Sequence, residues 1–123
     1  MNDFSLTMSF EDVLLVPRIS SVTSRADIDI SSAIGNNQFS LPVISSPMDT
    51  VTGHSMASKM CTHGGFGIIH RYNSIKDQAA AVTKTINAGS TQVAAAVGVT
   101  SDFVERAEAL VSSGVFLLCI DVA

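Results

Sequence analysis

Polar residues with chemical potential gather at four places in this chain, each directly after a short apolar run: Ser45-Ser46-Pro47-Met48-Asp49, His70-Arg71, Gly98-Val99-Thr100 and Asp121-Val122-Ala123. Asp121 is the strongest candidate, because a carboxylate ending the run Val115 to Ile120 is poised to accept hydrogen bonds. Ser46 and Met48 are candidates too, although a serine before proline can serve a turn and a methionine can fill a core. His70 ends the run Phe66-Gly67-Ile68-Ile69 and can face a ligand or be satisfied locally, while Asp49 is expected to tie down its loop. The nucleophile types are less promising. Cys61 and Cys119 sit among apolar or small neighbours and read as two buried thiols without a disulfide. His54, His63 and His70 lack the spacing of a metal motif such as H-E-x-x-H, so no metal site is expected. Gly64-Gly65-Phe66-Gly67 precedes its apolar run, whereas a phosphate-cradling loop follows a strand and opens a helix; these glycines read as a turn and close packing.

The elements that must position these residues follow from periodicity. Leu41 to Ser45, Phe66 to His70, Val93 to Val99 and Val115 to Ile120 are short apolar runs suited to buried strands. Between them lie three helical stretches. Ser55 to Thr62 sets Met56 and Met60 on one face, and Ser74 caps a helix whose stripe is Ile75, Ala79, Val82 and Ile86. Asp102 and Glu105 have capping-box spacing ahead of Phe103, Ala107, Leu110 and Val111. Gly89 and Gly114 end the last two helices. The order β-α-β-α-β-α-β gives an α/β class with a parallel sheet covered by helices, either an open doubly wound sheet or a (β/α)8 barrel. A whole barrel takes about 250 residues, so a barrel reading makes the chain roughly half of one. Ahead of this, the N-terminal segment is irregular. Ala26 to Ser31 alternates like a half-buried strand and Ile34 to Gln38 reads as a turn, predicting a short hairpin across one end of the domain.

Composition excludes several classes. Hydrophobic residues make up 46% of the 123 residues and charged ones 15%, too apolar for a disordered chain. The net charge of −4 and the scattered Lys and Arg argue against nucleic acid. The apolar runs are far shorter than a spanning helix, which argues against a membrane. Met1-Asn2-Asp3-Phe4-Ser5 lacks a basic and apolar leader, so a cytoplasmic setting is expected.

The literal sequence at the strand ends adds a resemblance. Ser45-Ser46-Pro47-Met48-Asp49-Thr50-Val51-Thr52 resembles the first-strand motif of IMP dehydrogenases, and Phe10-Glu11-Asp12-Val13-Leu14-Leu15-Val16-Pro17 resembles that family's N-terminal segment. His63 to His70, Ala95-Ala96-Val97-Gly98-Val99 and Ile120-Asp121-Val122-Ala123 are similar to its second, third and fourth strands. The chain is thus identified as similar to the IMP dehydrogenase/GMP reductase family across nearly its whole length. The resemblance selects the barrel and implies a partial (β/α)8 TIM barrel: the first four strands and three helices, behind an irregular N-terminal segment. GMP reductases typically read Ala-Asn-Met-Asp where this chain has Ser46-Pro47-Met48-Asp49, which favours the dehydrogenase. Most dehydrogenases insert paired CBS domains before the third strand, whereas only the Asn87 to Gln92 linker is present here, as in GMP reductases and some dehydrogenases.

For the whole enzyme the resemblance implies oxidation of IMP to XMP with NAD, through a cysteine on a later loop that attacks the purine and a mobile flap that admits water. NADP would replace NAD in a GMP reductase. Neither Cys61 nor Cys119 matches the nucleophile's motif, so no catalytic residue is expected within this chain. Ser46 and Met48 match positions lining the nucleotide site, Asp121 matches the carboxylate beside the nicotinamide cofactor, and His70 is a second residue that could face that cofactor. Implied partners are IMP, a complementary C-terminal half of the barrel and, for the complete protein, a homotetramer with a possible monovalent cation. A half-barrel alone should leave Ala94, Ala96 and their neighbours uncovered and strand edges open. A non-catalytic binding or scaffold module is the competing reading.

Overall fold

In the computed structural model, which describes residues 7–122, an irregular segment leads into an antiparallel hairpin, β1 (Ser32–Ile34) and β2 (Asn37–Phe39). The alternating run Ala26 to Ser31 is not a strand. Residues Arg25–Asp27 form a 3-10 turn, with Ser24 Oγ accepting from the Ala26 amide and the Asp29 carboxylate accepting from the Ser31 amide. Such local bonds give the backbone an alternative to a ladder, so the hairpin starts at Ser32. Its turn is Gly35-Asn36, with Gly35 at φ 58°.

The apolar runs then fold in alternation: β3 (Ile44–Ser45), α1 (His54–Thr62), β4 (Phe66–Ile69), α2 (Ile75–Asn87), β5 (Ala94–Val97), α3 (Phe103–Ser112) and β6 (Leu117–Ile120). The four strands are parallel and stand in sequence order, β3-β4-β5-β6. Helix α1 packs on α2 and α2 on α3, so the three helices cover one face. A doubly wound sheet reverses its strand order and carries helices on both faces. Sequential order with helices on one side is the arrangement of part of a (β/α)8 barrel.

The two sides of each strand bury different partners. Ile69, Ala95 and Val97 face the helices and join Ala57, Val82, Val93 and Leu110 in one core. Phe66 and Ala94 meet Phe39 of the hairpin in a second, with Ile68, Phe116 and Leu117 around it. The Phe39 and Phe66 ring centroids are 5.0 Å apart, and Phe116 lies edge-on to Phe66 at 5.3 Å. The hairpin therefore plugs the N-terminal end of the sheet's inner face. This corrects the expectation that Ala94 and Ala96 are left uncovered: both are fully buried.

The helices differ from the expected stripes in instructive ways. On α1 the buried residue is Ala57, and Met56 is exposed. A Cβ on Gly67 would lie 2.9 Å from Ala57 Cα and 2.8 Å from Ser45 Oγ, so α1 meets β4 across a contact that admits only small residues. Helix α2 starts as expected, the Ser74 hydroxyl accepting from the Asp77 amide, but buries Gln78 and Thr85 beside Val82. On α3 the expected capping box is absent. The Asp102 carboxylate takes a bond from Arg106 instead, and Arg106 and Leu110 occupy the buried face while Phe103 and Val111 are exposed. Gly64 supplies the predicted turn at φ 86°, and Gly65 and Gly67 the predicted close packing.

Candidate functional site

The C-terminal ends of the parallel strands gather the expected polar residues on one rim, except Ala123, which lies outside the described residues. After β3, the chain coils tightly. The Met48 amide donates to the Ser46 carbonyl, and the Val51 and Thr52 amides donate to the Met48 carbonyl. Thr52, fully buried, closes this coil: its hydroxyl donates to the Ser46 carbonyl and lies 2.9 Å from Ser45 Oγ. Thr52 therefore does the tethering expected of Asp49, which is exposed and has no hydrogen bond among the described residues. The side chains of Ser46 and Met48 are exposed here, Met48 by 52%.

After β4, His70, Arg71 and Tyr72 form a second unit. The His70 amide donates to the Thr52 carbonyl at 3.2 Å, which joins this loop to the first. His70 Nδ1 accepts from the Tyr72 amide at 3.2 Å, so the neutral ring carries its proton on Nε2, which faces no partner among the described residues. The two rings stack with centroids 6.4 Å apart, and the Arg71 guanidinium lies 5.3 Å from the Tyr72 ring centre.

Asp121, one residue beyond β6, is held in place from two sides. Its amide donates to the Val97 carbonyl at 2.8 Å, and its Oδ2 accepts from Arg71 Nε at 3.1 Å. Both side chains are about three-tenths exposed, which keeps the pair open to a ligand. The guanidinium lies over Gly98, where a Cβ would sit 3.4 Å from Arg71 Nη1. Gly98 has no left-handed φ, and a Cβ there would make only ordinary van der Waals contact with Arg71, so the guanidinium rests against this position without requiring glycine. Arg71 thus bridges from β4 across β5 to β6. Strand spacing puts the β3 and β6 ends roughly 14 Å apart, so Ser46 and Met48 cannot meet the same part of a ligand as Asp121.

Behind the rim, Gln78 and Arg106 form a buried network. Gln78 Nε2 donates to the Ala96 carbonyl at 2.9 Å and to the Ile69 carbonyl at 3.3 Å, and its Oε1 accepts from Arg106 Nη1 at 2.8 Å. Arg106 Nη2 donates to the Asn73 carbonyl at 3.1 Å and to Asp102 Oδ2 at 2.6 Å, and this bond holds the Asp102 carboxyl below the usual range. Asn73 Oδ1 is the one buried side-chain atom without a partner among the described residues. Sequence reasoning missed Arg71, Gln78, Arg106 and Thr52 as working residues. The signal for two of them was present: Gln78 and Arg106 each lie one turn before a core apolar residue, Val82 and Leu110, on the same stripe.

Both cysteines are free and half-buried, less buried than expected. Burial pushes the Cys119 thiol up, and the nearby Asp121 charge adds to it, so at neutral pH it stays protonated. No group of three His, Cys, Asp or Glu able to hold a metal ion occurs among the described residues, and no described helix is long and apolar enough to cross a membrane.

A parallel α/β sheet in sequence order, with its polar cluster on the C-terminal rim, is the arrangement of part of a (β/α) barrel, the class in which ligands sit at that rim. The profile of the IMP dehydrogenase / GMP reductase domain matches residues 7–123, and the chain belongs to that family. It is 41% identical over 101 residues to inosine-5'-monophosphate dehydrogenase of Nitrosopumilus maritimus, a stretch covering 81% of the chain and 21% of that protein. It is 47% identical over 78 residues to the Bacillus subtilis protein of the same name, covering 63% of the chain and 16% of that protein. With a GMP reductase of Leishmania donovani it shares 39% over 84 residues, 68% of the chain and 17% of that protein. The chain thus spans about a fifth or less of these relatives.

Proposed function

We propose that the chain forms the first part of the barrel of an IMP dehydrogenase-type oxidoreductase, which converts IMP, NAD and water to XMP and NADH. In this reading Ser46 and Met48 border the purine nucleotide, and Asp121 and His70 meet the nicotinamide cofactor. The observation that carries it is the Asp121 carboxylate: Arg71 engages Oδ2, leaving Oδ1 to accept from ribose hydroxyls at the strand ends. His70 Nε2 offers a second, unengaged donor on the same rim. The cofactor, when bound, accepts a hydride. The chain's own residues orient it, and none of them supplies the nucleophile. The remaining strands of the barrel, on the same or on a second polypeptide, complete the site, and a homotetramer, a monovalent cation and a cytoplasmic setting belong to the same proposal.

GMP reductase, taking GMP to IMP with NADPH, is the second reading. The short connection from Asn87 to Gln92 favours it, and Ser46-Pro47 at the first strand end opposes it. The chain should be co-expressed with the polypeptide that completes its barrel, and NADH formation from IMP compared with NADPH consumption by GMP. The chain by itself is expected to do neither. In the completed barrel Asp121→Ala should weaken NAD binding about ten- to a hundredfold, the usual effect of losing a charge-assisted hydrogen bond of ~1.5–3 kcal/mol. Unchanged NAD affinity with weakened IMP binding would remove the cofactor assignment.

A further inference from the structure

The backbone carbonyls of Ile69 and Ala96, at the outer ends of β4 and β5, are both taken by one side chain, the amide of Gln78. An amide nitrogen has two hydrogens, so both bonds form at once. Arg106 stands behind it, giving one nitrogen to Gln78 Oε1 and the other to the Asn73 carbonyl and Asp102. Gln78 is fully buried and Arg106 only 7% exposed. A buried amide and a buried guanidinium confer no clear stability over hydrophobic residues of similar size. What the network holds is specific. Ile69 immediately precedes His70 and Asn73 immediately follows Tyr72, so the segment His70 to Tyr72 is pinned at both ends. Ala96 lies two residues before Gly98, the floor on which the Arg71 guanidinium rests on its way to Asp121.

We infer that Gln78 and Arg106 are positioning residues for the strand-end cluster: from the helix side of the sheet they fix the segment His70 to Tyr72 over Gly98 and so hold Arg71 against Asp121. Neither touches a ligand. The inference rests on the proposed cofactor role of Asp121 only for its kinetic test, and its structural test stands apart.

The structural test is amide hydrogen exchange on the whole chain carrying Gln78→Met, which keeps length and apolar volume but removes every bond. Exchange across residues 70–74 should accelerate roughly tenfold or more, while α1 changes by less than about twofold. A uniform rise over α1, β4 and β5, or no change at 70–74, overturns the inference. The kinetic test uses the completed barrel. The KM for NAD should rise roughly tenfold to a hundredfold, as small misplacements of binding groups do, with the KM for IMP within about twofold. Arg106→Lys keeps the charge beside Asp102 but cannot fork to Gln78 and Asn73, and should fall between wild type and Gln78→Met. If Gln78→Met does not fold, Arg106→Lys carries both comparisons alone. Equal rises in both KM values overturn the inference. If the wild-type barrel binds no NAD while exchange follows the expected pattern, positioning stands and the cofactor reading falls.

Discussion

Val13 to Val16 and Val93 to Val97 are both wholly apolar stretches of one chain, and together with Phe10 the first meets the opposite fate to the second. Every residue from Val93 to Val97 is buried, whereas Phe10, Leu14 and Leu15 are more than nine-tenths exposed. Hydrophobicity alone does not decide between them. Val93 to Val97 has a hydrogen-bonded neighbour on each side, helices on one face and the Phe39–Phe66 pair near the other. Phe10 to Val16 has only local Ser9–Asp12 bonds, the Asp12 amide donating to the Ser9 carbonyl and the Ser9 amide and hydroxyl to the Asp12 carboxylate, and no strand pairs with it among the described residues. Proline at position 17 then ends the run. Val93 to Val97 is buried because its backbone is paired on both sides and both its faces are covered, and Phe10 to Val16 has neither.

The largest effect should come from breaking this contrast at the level of the whole molecule. Exposed Phe10, Leu14, Leu15 and Val16, together with β3 and β6 paired on one side only among the described residues, make self-association of the chain the expected outcome. Sedimentation over a concentration series should show mass rising with concentration, and co-expression with the barrel-completing polypeptide should abolish it. Removing residues 1–19 sharpens the comparison. If the apolar segment drives association, the truncated chain sediments as a smaller species; if the β6 edge does, truncation changes little. A stable monomer that unfolds cooperatively would contradict both sources.

The next effect is smaller and local. Leu110→Ala in the packed region should cost about 2–5 kcal/mol, because its side chain is fully enclosed and the cavity cannot collapse. Leu15→Ala, the same chemical change at 98% exposure, should stay within about 0.5 kcal/mol. Urea titrations of the completed barrel would measure both. Comparable losses would mean that Leu15 is covered in the assembled protein.

The same contrast explains how much could be read beforehand. Periodicity placed all four parallel strands and three helices because each carries its own apolar face, and the strand-end motifs separated a barrel from an open sheet. The strands came out shorter than the apolar runs: Leu41 to Val43 and Val115-Phe116 stay outside the ladders, with Val43 47% exposed and Val115 and Phe116 only partly buried. Ala26 to Ser31 misled because local side-chain bonds outweighed its alternation. The coverage of Ala94 by Phe39 depends on a contact across 55 residues, which no local pattern reports. At the site, Asp121 and His70 stood out as polar ends of apolar strands. Arg71 became meaningful only once Gly98 and Asp121 were seen beneath and beside it.

The smallest expected effect is none, at the two thiols of the packed region. A nucleophilic cysteine needs its thiolate populated at neutral pH, usually through a cationic neighbour or a helix N-terminus. Cys119 has the opposite surroundings: partial burial and the negative Asp121 nearby both push its thiol up. Cys61 lies near the C-terminal end of α1, the end that leads into the start of β4 and so away from the rim. Cys61→Ser and Cys119→Ser in the completed barrel should therefore leave turnover within about twofold of wild type, and iodoacetamide should alkylate Cys119 more slowly than a free thiol at the same pH. Loss of turnover in Cys61→Ser, with the exchange pattern of α1 intact, would place the nucleophile inside this chain and overturn the division between a binding rim here and chemistry elsewhere.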